Sequence, residues 1–138
     1  MWIMVIWAIW LLCISIMDVR SCKIPIGMLV FGGGFAIAVL AYQCASQEIS
    51  CYEIIKGMIP GGLLLVTAYV TKKAGYGDGI VLLLLGMALG GDKSLLIFGL
   101  SLLLISVWSL ILLVFHKAGR NTKIPYLPFL TAAFFIMN

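Results

Sequence analysis

The chain has 138 residues, of which 64% are hydrophobic and only 10% charged, and its formal net charge is +4. A soluble domain of this size has no core large enough to hide so much apolar surface, so water is excluded as its main solvent. Nucleic acid is excluded as a partner too: the nine Lys and Arg residues are scattered between apolar runs, with no aromatic-studded basic face.

Lipid is the solvent that fits, and in lipid a backbone satisfies its own hydrogen bonds only as helices or as a closed barrel. Barrel strands alternate apolar and polar residues, whereas residues 80–85 and 95–104 are apolar on every side. The expected fold is therefore all-α: a polytopic transmembrane bundle of about six helices, one membrane-embedded domain over residues 1–138.

The first apolar run covers residues 2–17. No basic segment precedes it and no small-residue cleavage site follows it, so it is expected to persist as a helix rather than to be removed as a secretory signal. It leads into Met17-Asp18-Val19-Arg20-Ser21-Cys22-Lys23-Ile24-Pro25. A carboxylate at a helix C-terminus is disfavoured by the macrodipole, by a few tenths to about 1 kcal/mol. Asp18 thus needs a reason, either interfacial pairing with Arg20 or Lys23, or chemistry.

The second run, residues 26–42, carries Gly32-Gly33-Gly34, and the third, residues 54–70, carries Gly57 and Gly61 beside Pro60. These glycines, with Gly86 and Gly90 further on, read as close helix packing, and Pro60 as a site for a kink. Cys44 and Cys51 flank the loop between the two runs, where a disulfide and a pair of interfacial hydrophobes both fit. No C-x-x-C pair occurs, so no metal site is expected.

Gly75-Tyr76-Gly77-Asp78-Gly79 opens the fourth run, residues 79–89. Aspartate is a favoured N-cap, but capping does not ask for glycine at alternate positions. Gly75, Gly77 and Gly79 strip side chains from the backbone around one carboxylate and let another chain approach it. The fifth run, residues 95–115, is long enough for a hydrocarbon core of roughly 30 Å. His116, the only histidine, follows it and reads as a solvated interfacial residue. The sixth run covers residues 124–137; it and the fourth are short, and either re-enter or end against neighbouring helices.

Six crossings collect Arg20, Lys23, Lys72, Lys73, Lys117, Arg120 and Lys123 on one side and leave Lys56 and Lys93 on the other. That bias puts the larger set in the cytoplasm and both termini outside. Glu48, Glu53 and Asp92 then lie outside, and Asp18 and Asp78 are the only acids on the inner side. Two carboxylates brought together cannot both ionise cheaply: one keeps a proton while the other activates water. That pattern is aspartic-protease chemistry, and it needs no metal, cofactor or nucleophilic serine.

Three motifs in order give the chain a family resemblance: Asp18-x-Arg20 followed by Ile24-Pro25, then Gly75-Tyr76-Gly77-Asp78, then Ile124-Pro125-Tyr126-x-Pro128-Phe129. The chain resembles the type IV prepilin peptidase family, the GxGD-type membrane aspartyl proteases of bacteria and archaea. The resemblance implies a protease of the cell membrane that cuts the short basic leader from prepilin or pilin-like precursors at the cytoplasmic face. Carried over, it makes Asp18 and Asp78 the catalytic pair and gives Gly75 and Gly77 the task of shaping the substrate site. The paired-cysteine segment that many bacterial members associate with N-methylation is absent here. The lysine and asparagine that often follow the family's second aspartate and first Ile-Pro are Ile80 and Ile26. The alternative from another class is a non-catalytic membrane protein, a transporter-like bundle or an assembly subunit. Charge-free helix centres argue against the transporter.

Overall fold

A computed structural model describes residues 2–21, 23–47, 50–72, 75–115 and 123–138. Cys22, Glu48, Lys73, His116, Lys117 and Arg120, all used in the sequence reading, lie outside them. The described residues form six helices: α1 Trp2–Ser21, α2 Ile26–Ala45, α3 Cys51–Thr71, α4 Tyr76–Leu89, α5 Gly91–Val114 and α6 Leu127–Met137. Half of the helix ends extend past the apolar runs that announce them. Polar residues such as Asp18 and Asp92 still satisfy their backbone by helix formation near the bilayer surface, although they end the hydropathy signal. The start of α6 moves the other way, because Pro125 keeps Ile124 out of the helical region.

Helices α1, α2, α3 and α5 are long and apolar enough to cross a membrane, with mean hydropathies of 2.2, 1.8, 1.5 and 2.6. At about 1.5 Å per residue, α4 is only about 21 Å long and α6 about 16 Å. Their shortness fits their positions. Half of α4 is buried (Gly79, Val81, Leu82, Leu84, Leu85, Gly86 and Ala88), and it packs on α3, α2 and α5. It is the central helix, surrounded by protein where the longer helices face lipid.

Close packing of α3 on α4 depends on glycine. A Cβ on Gly57 would strike the Gly86 carbonyl, one on Gly86 would strike the Gly57 carbonyl, and one on Gly61 would lie 2.5 Å from the Leu83 backbone. α3 continues through Pro60, itself buried. Of the glycine triplet in α2 only Gly32 has a packing role, against the Trp10 ring; Gly33 and Gly34 meet nothing within 4 Å.

The end of the bundle where α4 passes into α5 is held by polar contacts. Gly90 alone links the two helices, with φ +83° and ψ 172°. Gln43 donates from Nε2 to the Ala88 carbonyl at 3.0 Å, and the Gly91 N–H donates to Glu53 Oε2 at 3.2 Å. Lys56 pairs with Asp92 at 2.6 Å. Glu53 and Asp92 therefore have structural partners. Cys44 and Cys51 are exposed free thiols, so the structure holds no disulfide between them.

Candidate active site at the meeting of three helix ends

Asp18 lies in the last turn of α1, which runs on to Ser21, and is only 6% exposed. Neither Arg20 nor Lys23 forms an ion pair with it. Its partner is the start of α6, where the Leu127 N–H donates to Asp18 Oδ2 at 3.3 Å. The local sequence leaves that donor free. Pro125 and Pro128 have no N–H, and the Phe129 and Leu130 N–H groups both donate to the Tyr126 carbonyl, at 3.1 and 3.2 Å. The carboxylate that the α1 dipole disfavours thus sits at the positive end of α6.

Asp78 lies in the first turn of α4, not before it. The helix starts at Tyr76, its N-cap is Gly75, and no side chain caps it, which removes capping as the reason for an aspartate here. Each flanking glycine admits a different neighbour. A Cβ on Gly75 would lie 3.1 Å from Asp78 Oδ2. One on Gly77 would lie 2.6 Å from Ile24 Cδ1, and one on Gly79 would lie 2.9 Å from the Leu65 side chain of α3. Gly77 is therefore where the second motif packs on the Ile24-Pro25 of the first.

The four residues singled out in the sequence come together. Asp18, Gly75, Gly77 and Asp78 line one cavity of about 370 Å³. Lys23 adds a cation to its wall, and Ile24, Leu29 and Ile80 make the rest largely apolar. The two aspartates do not lie on helices packed along their lengths. α1 packs mainly on α6 and lightly on α2, while α4 packs on α3, α2 and α5. The two aspartates line one cavity because helix ends converge there. Among the described residues, no group of three His, Cys, Asp or Glu side chains could hold a metal ion.

Sequence reasoning missed the buried residues behind Asp18. Tyr126, 8% exposed, has its hydroxyl 2.6 Å from Ser101 Oγ of α5, and Ser101 is fully buried. The third motif was the available signal, since it places a tyrosine between two prolines at a helix start.

The fold and cleft define a class: polytopic membrane proteins in which two carboxylates share a pocket at one end of the helix bundle. A sequence model of the type IV leader peptidase family matches residues 5–110, so the chain belongs to that family and is a membrane peptidase. The matched range contains Asp18, Gly75, Gly77, Asp78 and Ser101 and stops before Tyr126. No curated protein and no solved structure matches the chain at a significant level.

Proposed function

We propose that this chain is an aspartyl endopeptidase that removes the basic leader from prepilin or pilin-like precursors at the cytoplasmic face of the membrane. The observation that carries the reading is the shared cavity of Asp18 and Asp78. One carboxylate is ionised and takes a proton from a water molecule as that water adds to the scissile carbonyl carbon. The other is protonated and donates to the carbonyl oxygen. The tetrahedral intermediate then collapses: the proton on the former carbonyl oxygen returns to the second carboxylate as the C=O bond re-forms, the C–N bond breaks, and the leaving nitrogen receives from the first carboxylate the proton that came from water. Gly75 leaves room for an extended peptide beside Asp78, and Gly77 shapes the same cavity by letting Ile24 pack into its wall.

The precursor's apolar helix stays in the bilayer beside the bundle, and its basic leader remains in the cytoplasm with the larger set of basic residues. The test is coexpression with candidate precursors, scoring leader removal by mass. Asp18→Asn and Asp78→Asn keep the shape of the side chain but cannot form the dyad, so each lowers cleavage by roughly 10³-fold or more. The double variant is no worse than either single one, because the pair acts as a unit. Asp92→Asn is the control: it breaks only the exposed pair with Lys56, at the opposite end, and leaves cleavage intact. Cleavage by Asp78→Asn at close to the wild-type rate would sink the dyad and favour an assembly subunit.

A further inference from the structure

We infer that Tyr126 is a positioning residue for the catalytic pair, its hydroxyl fixed to Ser101 so that the neighbouring Leu127 N–H meets Asp18. The inference rests on the leader-peptidase reading above and goes beyond it, to a residue outside the matched range.

One assignment of the protons satisfies both contacts of Ser101. Ser101 Oγ has one proton and donates it to the Phe98 carbonyl at 2.8 Å. Its oxygen can then only accept from Tyr126, at 2.6 Å. Both side chains are buried, Ser101 completely, so the bond forms away from water, where an unmet partner is most unfavourable. A phenylalanine would fill the same apolar space without requiring an acceptor on α5.

Tyr126 is also the N-cap of α6, and its carbonyl accepts the Phe129 and Leu130 N–H groups. One residue therefore anchors α6 twice, through its hydroxyl to α5 and through its backbone to its own helix. Pro125 and Pro128 stiffen the chain on either side. The N–H of the adjoining residue, Leu127, reaches Asp18 Oδ2 at 3.3 Å. That is the long end of the hydrogen-bond range, where a displacement of a few tenths of an ångström breaks the contact. Asp18 is thus held by a bond that tolerates little movement of α6, and the Tyr126–Ser101 bond restrains that movement.

The alternative is that Ser101 and Tyr126 merely join α5 to α6. Full-length Tyr126→Phe, Ser101→Ala and the double variant separate the two accounts in a bilayer or detergent preparation. The substrate is a precursor with a short basic leader joined to an apolar helix, and a second readout is hydrogen exchange at the Leu127 amide. Positioning predicts that kcat falls roughly 10- to 100-fold in each variant while KM stays near wild type. The double variant falls no further than the worse single one. The Leu127 amide, protected in the wild type, exchanges freely in all three. If Ser101→Ala fails to fold, Tyr126→Phe, which removes one oxygen, decides the matter. A normal kcat or an undisturbed Leu127 amide in Tyr126→Phe overturns the inference. A wild-type protein that cleaves no precursor removes the leader-peptidase reading instead, and the positioning role of Tyr126 with it.

Discussion

At Gly75 the backbone has φ −72° and ψ 121°, which any residue adopts, so conformational freedom does not explain the glycine. Its neighbour does. A Cβ there would stand 3.1 Å from Asp78 Oδ2, closer than a methyl and a carboxylate oxygen normally sit. Gly75→Ala should therefore leave thermal stability within about 0.5 kcal/mol, as surface changes usually do. It should still lower cleavage by roughly 10-fold or more by turning the carboxylate away from its partner. A matched pair of measurements, melting temperature and initial rate, checks it. Loss of folding with no change in the rate of the remaining folded enzyme would make Gly75 structural. The sequence located this carboxylate but misread its setting. The apolar run begins at Gly79, so Asp78 looks like a residue before the helix, when Tyr76 and Gly77 already belong to it. Neither residue repeats apolar character at helical spacing, and no reading of periodicity could have found that turn. The partner of Asp18 was hidden for another reason: the Leu127 N–H is a backbone group 109 residues away, and backbone groups leave no mark on composition.

Between elements, the four-residue glycine spacing was legible and the identity of the facing helix was not. Spacing says that Gly57 and Gly61 share a face of α3; only the packed bundle says that the face meets α4. The same limit explains the triplet in α2, where three adjacent glycines point in three directions and only Gly32 finds a neighbour. Gly57→Ala and Gly86→Ala force two backbones apart and should each destabilise the bundle by about 1–3 kcal/mol or more. Gly62→Ala faces open space and should be neutral or, through helix propensity, stabilising by up to about 1 kcal/mol. Unfolding in mixed micelles ranks the three. Equal losses would mean that α3 and α4 do not cross at these glycines. Gly90→Ala acts by a different route, since φ +83° with ψ 172° is a region that only glycine occupies comfortably. It should destabilise by about 1–3 kcal/mol, although its nearest neighbour, Glu53 Oε2, is 3.9 Å away.

For the whole molecule, hydropathy predicted how many helices there are but not which of them lie inside. α4 and α6 announce themselves only as short runs, and their shortness has a collective cause: a helix covered by its neighbours need not span the hydrocarbon by itself. The direction of the bundle in the membrane is a further whole-molecule property, and the two ends differ sharply in basic residues. The Asp18 end carries Arg20, Lys23, Lys72 and Lys123, and the chain adds Lys73, Lys117 and Arg120 in the same connecting segments. The opposite end has Lys56 and Lys93, with Lys56 held against Asp92. Translocation is resisted by Lys and Arg in short loops, and every loop here is short, so the Asp18 end should face the cytoplasm. A reporter active only outside the cytoplasm, fused after Asn138, should report, and the same reporter inserted within residues 118–122 should be silent. A reporter active only inside should give the reverse pattern. The opposite result at both sites would turn the dyad away from the compartment in which a basic leader resides, and the proposed substrate would then fail on geometry even with the two carboxylates in one cavity.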